Sequence, residues 1–92
     1  MLEYVKIAMR ITVDAYDLEL RALIQAAKMD LSIGGVEPDD GDELVRRAIV
    51  TYCRMHFGSP PDYDRLEQSY KWQKAQLMYA SGYTNWGDGH GA

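Results

Sequence analysis

Cysteine is nearly missing from this sequence. Cys53 stands alone among 92 residues, so the chain forms no internal disulfide and reads as a protein of a reducing, cytosolic compartment. Histidine is almost as scarce, with only His56 and His90. Cys53 and His56 lie three apart on one predicted helix, where they could face one metal ion. A structural zinc takes four such ligands, and no second pair exists, so the spacing reads as a packed cysteine beside a partly exposed histidine. No metal and no cofactor are expected. A basic excess is also absent. The formal net charge is −4, which argues against a nucleic-acid binder, because those present a basic face. No apolar run approaches the length of a membrane span, so no membrane partner is expected. The opening MLEYVKIAMR carries Glu3, Lys6 and Arg10 and does not read as a signal peptide.

Catalytic signatures are missing too. Ser32, Ser59, Ser69 and Ser81 have no histidine near them in sequence, and the glycine pairs match neither a phosphate loop nor a dinucleotide fingerprint. The acidic run Asp39-Asp40-Gly41-Asp42-Glu43 lacks the register of alternating oxygen ligands that a calcium loop needs. It reads as a solvated loop leading into a helix cap. An enzyme is not expected. Strand-like alternation and internal repeats are also lacking, which leaves an all-α fold.

What the sequence does contain is helical periodicity. Its clearest stretch is Asp42 to Gly58. Asp42 can accept hydrogen bonds from the free N–H groups of a first turn, and Glu43 places negative charge at the positive end of the helix dipole. Gly58 can adopt the left-handed conformation that ends a helix, and Pro60 and Pro61 stop it from continuing. Between these signals, Leu44, Val45, Ala48, Ile49, Tyr52, Cys53 and Met55 cover about half the helix circumference at 100° per residue. Val50 and Phe57 add apolar surface, and Glu43, Arg47, Thr51 and Arg54 form the polar strip. A helix this apolar must be covered on more than one side, by the chain itself or by another subunit.

Three further helices are predicted around it. A short one spans Leu2 to Arg10, with Leu2, Val5 and Met9 on one face and Glu3 and Lys6 elsewhere. The β-branched run Ile11-Thr12-Val13 interrupts it, and Asp14 offers the next N-cap. The second helix runs from about Ala15 to Ile33, with an apolar stripe of Tyr16, Leu20, Leu23, Ile24, Ala27 and Leu31. It has a second apolar row: Leu18, Ala22, Ala26, Met29 and Ile33. That row is either a subunit interface or the edge of a thick core. Gly34-Gly35 ends the helix. The last helix starts after Ser59-Pro60-Pro61, with Ser59 as its cap, and runs to about Ala80. Tyr63, Leu66, Tyr70 and Leu77 face inward, and Trp72, Ala75 and Tyr79 lie on the opposite side. Those rings either form an interface or lie flat on their own domain.

Gly82 closes the helical part. The reading therefore divides the chain into a helical domain, 1–81, and a flexible C-terminal tail, 82–92. The tail is glycine-rich and polar and lacks the apolar content to fold alone. It is either an idle end or an arm in which Tyr83 and Trp86 fill a pocket on a partner. The fold class is thus all-α: a small bundle of about four helices, one short and three longer, with a flexible tail.

As an ordered set, these segments resemble the small head–tail connector, or adaptor, proteins of long-tailed bacteriophages, also called head-completion or DNA-packaging proteins. The resemblance lies in VKIAMRITVDAYDLELRALIQAAKMDLSIGGV, then DELVRRAIVTYCRMHFGSPPDYDRLEQSYKWQKAQL, then SGYTNW. In that family a short helix leads through an acidic turn into a helix with an apolar-Ile-x-Ala-Ala run, here Leu23-Ile24-Gln25-Ala26-Ala27. Gly35-Val36 follows it, then an apolar helix ending in Phe57-Gly58, then a helix carrying Ser69-Tyr70. The closing GDGHGA has no counterpart in the pattern.

The resemblance implies a non-enzymatic subunit that assembles with copies of itself into a ring below the portal protein at the capsid vertex. The ring would extend the DNA channel and dock a tail-side stopper or tail-completion protein, and DNA would pass through without sequence-specific binding. The protein would belong to the virion, at the head–tail interface, after assembly in the bacterial host cytoplasm. Tyr83 and Trp86 are the candidate portal contacts, and Leu18, Ala22, Met29, Trp72 and Tyr79 the candidate subunit contacts. A closed ring needs two different patches per subunit, which the second and fourth helices could supply. Two other classes compete. A small interaction module, such as a regulatory or antitoxin-like dimer, would use the same apolar surface in a two-fold contact. A DNA-binding domain would need an exposed basic recognition helix, for which Asp42 to Phe57 is too apolar despite Arg46, Arg47 and Arg54.

Overall fold

A computed structural model describes residues 1–80. Four helices follow in order: α1 (Leu2–Met9), α2 (Asp17–Ile33), α3 (Glu43–His56) and α4 (Tyr63–Tyr79). No strand occurs among the described residues. The all-α bundle read from periodicity is therefore the fold.

α3 is the pillar. It packs against α1, α2 and α4, and α1 also rests on α2. Val45, Ala48, Ile49 and Cys53 have no exposed surface, and Val50 and Met55 are also buried. They meet Leu20, Ile24, Ala27 and Leu31 from α2, Val5 from α1, and Leu66, Tyr70 and Leu77 from α4 in one continuous core. Removing each of these larger side chains from water contributes roughly 1.5–3 kcal/mol, and this burial is what holds helices of such modest length.

The helix ends show where local signals held and where tertiary structure displaced them. Asp42 is the N-cap of α3: its Oδ1 accepts from the N–H of Leu44 at 2.9 Å and of Val45 at 3.3 Å. Gly58, just past the C-cap Phe57, has φ 72. α2 ends in a left-handed turn at Gly35, φ 86, where the N–H of Val36 reaches back to the Leu31 carbonyl at 2.9 Å. That turn places Val36 in the core.

Two expected caps are corrected. Ser59 does not cap α4, whose N-cap position is Asp62, and the Asp62 carboxylate binds Arg65 instead of a backbone N–H. Asp14 does not cap α2, which begins after Tyr16; its carboxylate is held 2.8 Å from Lys6 Nζ. Ser59 lies too far before the first turn to cap it, and at Asp62 and Asp14 a cation within reach takes the carboxylate from the backbone, since charge-assisted bonds are the stronger kind.

Two residues change sides. Lys6, read as polar surface, is 6% exposed. Its aliphatic stem is covered, while its ammonium reaches Asp14 and Asp17 at 2.8 and 2.9 Å. Those two carboxylates raise the Lys6 pKa above its ordinary value. Thr51, assigned to the polar strip of α3, is also buried, and its hydroxyl donates to the Arg47 carbonyl one turn back. α1 ends on Arg10 at φ 59, a left-handed position that glycine usually fills. Arg54 supports that end by donating to the Ala8 carbonyl at 2.9 Å, which satisfies a last-turn acceptor.

Candidate functional site

The helices that surround α3 bury one face and leave another open. On α2, the second apolar row points to solvent: Leu18 is 84% exposed, Met29 66% and Ile33 79%, with Ala22 also exposed. The cause is periodic. Leu20, Ile24, Ala27 and Leu31 turn inward, and the row offset from them by about half a turn faces away.

α4 repeats the arrangement with larger side chains. Leu66, Tyr70 and Leu77 are inward, while Trp72 and Tyr79 are 69% and 86% exposed. Trp72, Ala75, Gln76 and Tyr79 line a shallow groove of about 430 Å³ on this outer side. The alternative in which the two rings lie flat on their own domain does not hold at such exposure. All five candidate subunit-contact residues, Leu18, Ala22, Met29, Trp72 and Tyr79, are therefore on the surface, on two different helices. The other two candidates, Tyr83 and Trp86, lie outside the described residues.

A polar cluster that sequence spacing did not reveal joins α2 to α4. Tyr70 donates to Asp30 Oδ2 at 2.5 Å, and Lys74 Nζ lies 3.1 Å from the same oxygen. Burial alone would raise the Asp30 carboxyl. The Tyr70 hydroxyl and the Lys74 ammonium outweigh it, and the net shift is downward. Tyr70 moves the other way: burial and its bond to a carboxylate both push the phenol above its ordinary value. Tyr52 meets the Tyr70 ring edge-on, with centroids 5.5 Å apart, and lies 4.5 Å from the tilted His56 ring. The cluster locks two helices side by side. Its one carboxylate takes both bonds on the same oxygen, Oδ2.

Cys53 and His56 do not come together. Cys53 lies in the core, where burial pushes its thiol up to about 12, whereas His56 is exposed between Tyr52 and Tyr63. A thiol held protonated is inert as a ligand or nucleophile. Among the described residues, no group of three or more His, Cys, Asp or Glu side chains could hold a metal ion. Also among them, no helix is long and apolar enough to cross a membrane.

These features define a class: a small helical protein whose open chemistry is apolar surface on the outside of a filled bundle. The particular family follows from comparison. Residues 1–84 match the model of the phage connector protein family, and the chain belongs to that family. Its role is structural, within the virion's connector apparatus, in association with other head or tail proteins. The match includes Tyr83 and stops short of Trp86. No curated protein and no solved structure matches the chain.

Proposed function

We propose that this protein is the subunit of a head–tail connector ring that sits below the portal, extends the DNA channel and docks the tail-side stopper or completion protein. One observation carries the reading. A chain of the connector family exposes two unlike apolar faces, the Leu18–Ala22–Met29–Ile33 ridge of α2 and the Trp72–Tyr79 groove of α4. Contact between two different patches propagates head to tail and closes into a ring, whereas a dimer buries the same patch twice. The negative net charge suits a conduit that must not grip passing phosphates.

The partners in this reading are the portal protein and further copies of the chain, with Tyr83 and Trp86 as portal contacts. Negative-stain images of the purified chain, alone and mixed with its portal, test it. Rings alone or on the portal are expected. A strict monomer that never engages a portal overturns the proposal, and a two-fold dimer in native mass spectrometry would favour the interaction-module reading. Truncation after Gly82 is expected to leave the melting temperature unchanged and to weaken portal binding. Loss of the fold on truncation would assign the tail to the domain.

A further inference from the structure

A cleft of about 460 Å³ lies where α1, α3 and α4 meet. Three guanidinium groups line it: Arg47 and Arg54, two turns apart on α3, and Arg65 from α4. Tyr4, Ser69 and Gln73 also contribute to its wall, and no carboxylate does. In a chain of net charge −4 this is a local reversal of sign. The cations are only partly used. Arg54 gives one nitrogen to the Ala8 carbonyl, Arg65 pairs with Asp62 outside the lining, and Arg47 makes no ion pair among the described residues.

A ligand for this cleft must bring negative charge for the guanidiniums. A peptide bearing Asp or Glu brings it on planar carboxylates that fit the arginine forks, and its backbone groups can meet the hydroxyls of Tyr4 and Ser69 in the wall. A DNA duplex would also need an extended basic stripe, and here the positive charge is confined to one recess of an acidic protein. We propose that this cleft is a docking site for an acidic peptide segment of a protein partner, held by Arg47, Arg54 and Arg65. It does not depend on ring closure. A chain that stays monomeric and still takes the peptide would remove the ring and leave the cleft standing.

The test is an NMR titration of the isotope-labelled full chain at low ionic strength. The probes are the synthetic peptide Glu-Pro-Asp-Asp-Gly-Asp-Glu and its uncharged counterpart, with Gln for Glu and Asn for Asp. Saturable shifts at the amides around Arg47, Arg54 and Gln73 are expected with the acidic peptide only. Arg47→Glu is expected to weaken binding by roughly tenfold or more, since it removes one charge-assisted contact and adds repulsion. Equal shifts with the uncharged peptide overturn the proposal, as does an absence of shifts with the acidic one. A short DNA duplex that perturbs the same signals more strongly would assign the cleft to nucleic acid instead. The two-peptide comparison uses the unmodified protein, so it decides even where a variant folds poorly.

Discussion

α3 and α4 are neighbours, and they differ sharply in what they bury. α3 hides seven of its 14 residues, and α4 hides three of its 17. α3 reaches that fraction because three helices cover it, while α4 packs on α3, meets α2 through the Asp30 cluster and turns its outer side to solvent. Both helices carry aromatic and aliphatic side chains beyond their inward stripe. On α3 the surplus, Val50 and Phe57, is absorbed by the chain itself: Val50 is in the core and Phe57 packs against it. On α4 the surplus, Trp72 and Tyr79, is not. Surplus apolar surface thus means different things at the centre of a bundle and at its edge. At the centre it is a packing requirement met within the chain. At the edge it stays open to water and is available to another molecule.

The comparison is broken most directly by truncating one residue of each kind. Ile49→Ala is expected to cost about 3–4 kcal/mol in urea denaturation, because Ile49 has no exposed surface and the cavity it leaves is lined by three helices. Tyr79→Ala is expected to stay within about 0.5 kcal/mol of the parent. If the two losses were similar, the outer face of α4 would be core and the contrast between the helices would vanish.

The helix ends sharpen the same contrast at a smaller scale. Asp42→Ala removes two hydrogen bonds to the first turn of α3 and is expected to lower stability by about 1 kcal/mol. Ser59→Ala, at the residue first read as a cap for α4, is expected to change stability by less than about 0.5 kcal/mol. Thermal melts of the two variants side by side measure the difference, and a larger loss for Ser59→Ala would contradict the assigned end of α4.

The Asp30 cluster makes a test that depends on pH. The folded state lowers the Asp30 carboxyl below its ordinary value of 3.8. Its stabilising contribution is therefore present above that value and is lost as pH falls through the lower, folded one. Asp30 is partly open to water, which screens the pair, so Asp30→Asn is expected to cost about 1 kcal/mol near neutrality. The gap between variant and parent should narrow progressively as pH falls below 3.8. A gap of constant size at all pH would mean that packing, not charge, links α2 to α4.

The contrast between these regions also explains what the sequence made legible. Periodicity alone identified the inward stripe of each long helix, because Leu20, Ile24, Ala27 and Leu31 or Leu66, Tyr70 and Leu77 recur at the spacing of one face. Asp42, Gly35 and Gly58 marked helix ends because each acts on its own backbone within a few residues. Ser59 and Asp14 misled for the complementary reason. α4 begins four residues beyond Ser59, and Lys6 captured the carboxylate of Asp14 from outside the helix it was expected to cap. The bond between Asp30 and Tyr70 spans 40 residues, and the bond from Arg54 to Ala8 spans 46. No local rule reaches that far. The arginine cleft has the same origin, since Arg65 joins Arg47 and Arg54 only when α4 folds back along α3. The exposed rows of α2 and α4 were visible as surplus apolar residues, but periodicity could not say which surplus the chain would bury. That choice belongs to packing.

The smallest effect on stability should bring the largest effect on assembly. Trp72 lies on the outer face of α4, 69% exposed, where its ring touches water more than protein. Replacing it with alanine removes little buried area, and the expected change in unfolding free energy is within about 0.5 kcal/mol. A large aromatic in a groove is also the kind of residue that dominates a protein–protein contact, where truncation commonly costs about 2 kcal/mol or more. In a ring every subunit makes the contact twice, once through each face, so the loss repeats around the assembly. Trp72→Ala is therefore expected to melt like the parent and to fail to form rings in negative stain, alone or on the portal. Leu18→Ala, on the opposing α2 face, should behave the same way if the two patches meet each other. If Trp72→Ala blocks assembly while Leu18→Ala leaves it intact, the α4 groove meets some other surface, and α2 is not the second half of the interface.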